Sequence, residues 1–301
     1  MRRLERELAQ PTVARRRFRV AGMDLGWLDD ERARSLARFS DVFQIHGDAV
    51  EFAARVDEHS GENACDQRSA AIAPCVRALA ATGALTAWRN ERYGIRERFD
   101  EDPALLIERA AARFFGVRTY AAHANGLTGT RNEPQMWLAR RSPHKAIDPG
   151  MLDNLVGGGI AYGSTPLATV VKEAWEEAGI PPRLAGDVQR GGTIDMAREV
   201  PDGLQRETIY VYDLWIPNHF TPANQDGEAV EHRCVDLAEA ARLLANATGP
   251  DVVTVDATLV AVDFLLRHDV IAHGPDRERL SALLQAGRAA RFDRAMTMPR
   301  S

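Results

Sequence analysis

The sequence predicts a mixed α/β protein in two parts, a smaller α+β part followed by a larger α/β part. Two observations lead to this prediction. Strand-like runs alternate with helical patterns along the 301 residues, and near residue 117 short mixed segments give way to longer paired strands. We therefore predict an N-terminal α+β domain over residues 1–116 and a second domain over residues 117–301, a division that suits a chain of this length.

The first part combines short strands with helices. Helical patterns are predicted after Asp30, over 63–82, and from Pro103, which suits a first helical turn, to Gly116, which suits a C-terminal cap. Residues 93–99 favour an extended segment.

The second part carries the clearest alternation of strands and helices. Its predicted strands are 117–127, 135–140, 192–200, 207–216 and a short one within 226–237, and its predicted helices are 166–178, 236–246, 255–268 and 277–290.

Composition excludes several classes of protein. The net charge of −5 gives no basic field for nucleic acid. No apolar run reaches the roughly 18 residues of a membrane-spanning helix, and the Arg-rich start lacks the apolar core of a signal peptide. Cys65, Cys75 and Cys234 are odd in number and form no CxxC pair, which favours a reducing cytoplasm over a disulfide framework.

The helix predicted over 166–178 has two distinct faces. Its core side is predicted to hold Leu167, Val170, Val171, Ala174 and Ala178. Its other side carries Glu173, Glu176 and Glu177 at i, i+3 and i+4, so that three carboxylates share one face and repel each other. A divalent cation such as Mg²⁺, which prefers oxygen ligands, would relieve that repulsion. The alternative is an ordinary solvated acidic face.

The stretch from Gly157 to Ile180 resembles the Nudix box, G-x5-E-x7-R-E-U-x-E-E-x-G-U, in which U is aliphatic. Gly158 takes the first Gly, and Lys172, Glu173, Ala174, Glu176, Glu177, Gly179 and Ile180 fill the R-E-U-x-E-E-x-G-U segment without a gap. Ser164 stands where the box has its first Glu, and Lys172 stands where it has Arg. In the family those two residues pair and support the loop, so this brace is altered here.

The resemblance implies an α/β/α sandwich with a mixed sheet and Mg²⁺- or Mn²⁺-dependent hydrolysis of a diphosphate linked to another group. By position, Glu173, Glu176, Glu177 and the carbonyl of Gly157 would hold the metal. The general base would be Glu173 or, from a later strand, Glu231. Homodimers are common in the family, which makes a homodimer an expectation for this chain.

Further segments resemble one Nudix branch, which includes the Nudix part fused to thiamine pyrophosphokinase in some fungi and its plant relatives. They are FRVAGMDLGWL (18–28), IERAAARFFGVRTYAAHANG (107–126), MWLARRSPHKAIDPGMLDNLVGGGIAYG (136–163) and DGEAVEHRCVDL (226–237). The branch implies a substrate like thiamine diphosphate, with residues 1–116 as an accessory domain. An X-linked nucleoside diphosphate is the other substrate class that the family implies.

A basic cluster precedes the box. Arg140, Arg141 and Lys145 could hold substrate phosphate, since arginine forks match phosphate geometry; the alternative is a solvated turn. His123 and Asn125 could face the substrate or form a structural pair.

Two other functions stay open. One is a binding module that keeps the fold without catalysis, which the altered Ser164 and Lys172 favour and the intact glutamates oppose. The other is an isomerase of isopentenyl diphosphate, which needs an active-site Cys that Cys234, outside the box, supplies poorly.

Overall fold

A computed structural model describes residues 2–8, 13–57 and 62–289 of the chain. Before residue 117 the helices and strands are α1 (Arg2–Glu7), β1 (Arg15–Val20), β2 (Met23–Asp29), α2 (Asp30–Leu36), β3 (Phe43–His46), β4 (Ala49–Phe52), α3 (Ala64–Ala81), β5 (Arg92–Ile95), β6 (Leu105–Glu108) and α4 (Ala112–Phe115).

Strands β1 to β4 form a four-stranded sheet in the order β2-β1-β4-β3, and β5 pairs with β6 in a separate antiparallel ribbon. One apolar core joins the sheet, the ribbon and α3, and Phe18, Phe43 and Phe115 are its largest side chains. The centroids of the Phe18 and Phe115 rings lie 4.9 Å apart. This α+β body therefore has its own core.

The helix predicted from Pro103 to Gly116 is wrong over its first half. Residues Leu105–Glu108 are the strand β6, which pairs with β5 and is buried along its whole length. A fully buried run of four residues fits strand and helix patterns equally well, and the pairing with β5 decides between them. The predicted C-terminal cap is confirmed, since Gly116 ends α4 with a left-handed φ of 56°.

The larger part contains β7 (Arg118–Gly129), β8 (Pro134–Arg141), β9 (Leu152–Asn154), β10 (Val156–Gly159), α5 (Pro166–Ala178), α6 (Pro182–Ala185), β11 (Gln189–Val200), β12 (Gly203–Trp215), β13 (Ala229–Asp236), α7 (Leu237–Ala245), α8 (Val255–Arg267) and α9 (Pro275–Ala289). Its seven-stranded sheet runs β11-β12-β7-β8-β13, with β10 paired to β7 and β9 paired to β8. The sheet is mixed, because β7 and β12 are parallel while the other pairs are antiparallel.

Both faces of this sheet are covered, as the alternation along β7 shows. Tyr120 and Ala122 pack in the cluster that includes α5, whereas Ala121 packs with α8 on the opposite face. Successive strand residues point to opposite faces, so one strand serves both cores. The predicted α/β/α sandwich with a mixed sheet, preceded by an α+β part, is confirmed. Among the described residues no helix combines the length and the apolar character that crossing a bilayer requires.

The two parts meet along a polar seam. Arg206 of β12, 4 % exposed, donates two hydrogen bonds of 3.1 Å to the carboxylate of Glu97. On the same seam, Gly203 lies so close to the backbone of Arg113 that a Cβ there would overlap the carbonyl oxygen. The seam runs beside β10, and it therefore brings the N-terminal part to the glycines that precede α5.

Candidate active site

Helix α5 has clear start and stop signals. Thr165 caps its N-terminus by accepting a hydrogen bond of 3.1 Å from the Ala168 N–H, and Pro166 occupies the first turn. Gly179 ends it with a φ of 64°. Val170, Ala174 and Ala178 are buried as predicted, whereas Leu167 is 44 % exposed because the core begins one turn later.

The three glycines of β10 each touch a different part of the protein. A Cβ on Gly157 would lie 2.7 Å from Nδ1 of His123 on β7. A Cβ on Gly158 would overlap the Glu173 carboxylate, and one on Gly159 would overlap the Tyr93 hydroxyl. The sheet, helix α5 and the N-terminal part therefore all approach the β10 backbone more closely than any side chain would permit.

Two carboxylates of α5 lie against these glycines. Glu177 accepts a hydrogen bond of 2.9 Å from the Gly157 N–H, and the Glu173 side chain, 15 % exposed, lies against Gly158. Burial raises the pKa of Glu173. Burial and the nearby carboxylates of Glu173 and Asp153 raise the pKa of Glu177 well above its usual value. Negative charge is thus concentrated at this point.

Glu176 and the altered brace lie toward solvent. Lys172 donates a hydrogen bond of 2.6 Å to Glu176 and one of 3.1 Å to Glu173. The Ser164 hydroxyl lies 3.1 Å from that of Thr169, so it does not pair with Lys172. The brace that the family builds between these two positions is replaced here by a contact from the loop to the helix, Ser164 with Thr169, and by the bonds of Lys172 along the helix.

A cavity of about 150 Å³ opens beside β10. Its polar and charged walls combine residues of both parts of the chain: Thr86, Tyr93, Arg109, Arg113, Thr119, His123, Arg141, Asp148, Asp153, Asp202, Gln205, Glu207, Thr254 and Asp256, with Gly157, Gly158 and Gly159 at one side. Cationic and anionic groups share these walls, an arrangement that suits an anionic ligand accompanied by a cation.

The residues present fit a divalent cation by their chemistry. Glu173, Glu177 and Asp153 offer hard oxygen ligands, and their mutual repulsion is the reason that the pKa of Glu177 rises beyond the effect of burial. Among the described residues, no group of three or more His, Cys, Asp or Glu is already arranged to hold a metal. The fit therefore rests on the donor set, and Mg²⁺ accepts such a set because it usually keeps several waters.

The predicted phosphate-binding residues are all engaged with carboxylates. Arg140 pairs with Glu231 at 2.7 Å and with Asp251 at 2.5 Å, and Lys145 pairs with Glu228. Arg141 pairs with Asp153 at 2.6 Å and is the one of the three that lines the cavity.

The structure does not bring Glu231 to the cavity. This residue lies on β13, its side chain is 47 % exposed, and its partner is Arg140. Of the two predicted bases, Glu173 is the one that lies against the glycines of β10.

His123 and Asn125 do not pair with each other. His123 lines the cavity and its Nδ1 lies 3.0 Å from Oδ1 of Asn154. Asn125 donates a hydrogen bond of 3.0 Å to Asp213. His123 therefore faces the cavity, whereas Asn125 forms a structural contact within the fold.

Sequence reasoning missed several residues of the cavity wall. Glu207 accepts hydrogen bonds from Thr119 at 3.0 Å and Gln205 at 3.1 Å. Burial and the neighbouring Asp256 raise the pKa of Glu207. Glu207 gave only a weak signal, because it lies in the polar stretch from Gln205 to Thr208 that precedes the apolar run of β12. Tyr93 and Arg109 gave no comparable signal, because only the domain packing brings them to β10.

Comparisons with known proteins agree with this fold and this box. A NUDIX domain model matches residues 118–255, and a domain of unknown function (DUF4743) matches residues 2–119. Nudix hydrolase 24, chloroplastic, of Arabidopsis thaliana is 31 % identical over 256 residues, which cover 84 % of this chain and 68 % of that protein. Nudix hydrolase 20, chloroplastic, of the same plant is 30 % identical over 260 residues, with the same two coverages of 84 % and 68 %.

Among solved structures, the NUDIX domain of Shewanella oneidensis NrtR, complexed with ADP ribose, is similar with a TM-score of 0.39 and 14 % identity, covering 52 % of this chain and 91 % of that one.

The fold and the box define a hydrolase of the diphosphate-cleaving kind. By the relatives and the domain match, the chain belongs to the Nudix hydrolase family, and its enzyme class is that of the Nudix-type pyrophosphohydrolases.

Proposed function

We propose that this protein hydrolyses a diphosphate bond in a small molecule that resembles thiamine diphosphate or carries a linked nucleoside diphosphate. The observation that carries the proposal is the pair of carboxylates, Glu173 and Glu177, that contact Gly158 and Gly157 of β10, glycines that line a cavity with walls of both charges. Such a site holds a dianionic group only together with cations.

Mg²⁺ or Mn²⁺ would be held by Glu173 and Glu177, with Glu176, Asp153 and the Gly157 carbonyl as further oxygen donors. When bound, the ion would neutralise the diphosphate and lower the pKa of a bound water. Glu173 takes the role of general base in this proposal, because it lies against Gly158, whereas Glu231 lies on β13 and pairs with Arg140. The Gly157 N–H fixes the rotamer of Glu177.

A substrate panel with added Mg²⁺ tests the proposal. It should include thiamine diphosphate, ADP-ribose and dinucleoside polyphosphates, with release of a monophosphate as the readout. We expect turnover of at least one compound and a loss of about 100-fold or more in Glu177→Gln, the order typical of removing a charged catalytic group. Mg²⁺ should also raise the melting temperature of the wild type and not that of Glu177→Gln.

An unchanged rate in Glu177→Gln would refute the ligand assignment. Ligand binding without turnover across the whole panel would instead favour the non-catalytic binding module. The isomerase gains no support from the site, because Cys234 lies on β13 beside Gln135 and does not line the cavity. The cytoplasmic location, the homodimer and the absence of nucleic-acid and membrane partners remain predictions from the sequence.

A further inference from the structure

Tyr93 is a buried side chain of the N-terminal part that reaches the glycines of β10. It is 6 % exposed, its hydroxyl lies against Gly159, and it lines the cavity. The hydroxyl has no hydrogen-bond partner within the part of the chain that the structure describes. Burial raises the pKa of Tyr93, so the group keeps its proton and is a donor at neutral pH. Because Tyr93 lines the cavity, its hydroxyl can donate a hydrogen bond to a ligand bound there.

Arg109 lies beside the ring of Tyr93. Its guanidinium carbon is 5.9 Å from the centre of the Tyr93 ring, and one of its N–H groups donates a hydrogen bond of 2.9 Å to Glu91. Arg109 also lines the cavity, close enough to Glu173 for its charge to oppose the rise that burial causes in the pKa of that carboxyl. A guanidinium has five N–H donors, so the single bond to Glu91 leaves others for an anion.

The contacts around these two residues hold the N-terminal part against the box. The Tyr162 N–H, in the loop before α5, donates a hydrogen bond of 2.8 Å to the carbonyl oxygen of Arg92. Arg89 forms a salt bridge of 3.1 Å with Glu228, which precedes β13. Strand β5 is therefore tied to the hydrolase part on two sides, and the position of Tyr93 is fixed.

We propose that Tyr93 and Arg109 bind the diphosphate of the substrate, so that the N-terminal part is one wall of the active site. Both side chains line the cavity beside the glycines of β10, and they supply donors where α5 supplies only acceptors. A diphosphate in this cavity would accept hydrogen bonds from the phenol and the guanidinium, and a metal held by the carboxylates next to Gly157 and Gly158 would balance its remaining charge. The assignment of the ligand as a diphosphate rests on the proposed function above.

Two conservative variants test this inference. Tyr93→Phe removes only the hydroxyl, and Arg109→Gln removes the charge while it keeps most of the side chain. Tyr120→Phe is the matched control for the first, because Tyr120 is equally buried and its hydroxyl donates to the Arg96 carbonyl oxygen. Arg98→Gln is the control for the second, since Arg98 forms an exposed pair with Asp100.

The probe is methylenediphosphonate with Mg²⁺, a diphosphate analogue whose P–C–P bridge resists hydrolysis, measured by calorimetry on the full chain. We expect Kd to rise about 10-fold in Tyr93→Phe and about 10- to 100-fold in Arg109→Gln, as for loss of a hydrogen bond to a charged group. Both controls should stay within about 2-fold of wild type. Melting temperatures of all four variants separate lost binding from lost folding.

The outcomes distinguish this inference from the proposed function. Turnover that Glu177→Gln abolishes but Tyr93→Phe and Arg109→Gln leave unchanged, with unchanged Kd, would overturn the inference and leave the hydrolase standing. Weaker binding in both variants of a protein that turns over nothing would support the inference and overturn the hydrolase. Failure of the wild type to bind the analogue would overturn the inference directly.

Discussion

The two sides of strand β10 differ in how their residues reach the site. On one side, Glu173 and Glu177 come from the helix that follows β10 directly, so their position depends on helix geometry alone. On the other side, Tyr93 comes from an earlier domain, so its position depends on the seam between the two parts. The geometry of α5 therefore positions the carboxylate acceptors, and the packing of the two parts positions the Tyr93 donor.

The largest effect is expected on the helix side. Glu173→Gln should lower kcat/KM about 100- to 1,000-fold, because Glu173 lies against Gly158 with 15 % exposure and is the proposed base. Glu176→Gln, at the further oxygen donor proposed on the same helix, should cost less than about 10-fold, since Glu176 is 35 % exposed and is held by Lys172 toward solvent. Steady-state kinetics with Mg²⁺ measures both, and equal losses in the two variants would remove the distinction between them.

The seam should show the next largest effect. Glu97→Gln removes the carboxylate that accepts two hydrogen bonds from the guanidinium of Arg206, which is 4 % exposed, and this should lower the free energy of unfolding by about 3 kcal/mol. Asp100→Asn is the control, because its pair with Arg98 is 69 % exposed on both sides and its loss should leave the free energy of unfolding close to that of the wild type. Urea denaturation gives both values. A loss below about 1 kcal/mol in Glu97→Gln would show that the seam is not held by this pair.

A double-mutant cycle across β10 should show an intermediate effect. Gly159→Ala places a Cβ against the Tyr93 hydroxyl and should cost about 2 kcal/mol of stability. Tyr93→Phe removes the overlapping oxygen, so the double variant should recover about 1 kcal/mol of that loss. Gly150→Ala is the control for backbone strain, because Gly150 has a positive φ and no atom within 4 Å, whereas Gly159 has no positive φ and its cost should be steric. Strict additivity of the two changes would contradict the contact.

The smallest effect is expected at the altered brace. Lys172→Gln removes two hydrogen bonds to carboxylates, but Lys172 is 57 % exposed, so stability should fall by no more than about 1 kcal/mol. Because the ammonium group also competes with a metal for Glu173, the apparent Mg²⁺ affinity should rise by about 2- to 5-fold. Titration of activity against Mg²⁺ measures this change, and weaker Mg²⁺ binding in the variant would assign Lys172 a supporting role instead.

The sequence predicted the features that depend on local pattern and missed those that depend on packing between the two parts. Helix α5, its caps and its carboxylate face follow from periodicity and from Thr165, Pro166 and Gly179. Strand β6 was predicted as helix because its four buried residues have no period of their own. The cavity wall formed by Tyr93 and Arg109 could not be predicted, since no local pattern in a single sequence indicates that β5 packs against β10.

The glycines at the seam limit which side chains and which N-terminal part this fold can accept at these positions. Gly159 contacts the Tyr93 hydroxyl and Gly203 contacts the backbone of Arg113, each so closely that a Cβ would overlap. The hydrolase part therefore has glycines where the N-terminal part packs against it. Replacing the N-terminal part by that of a distant relative would change both of these contacts at once. The two glycines therefore restrict which N-terminal part the hydrolase part can pack against.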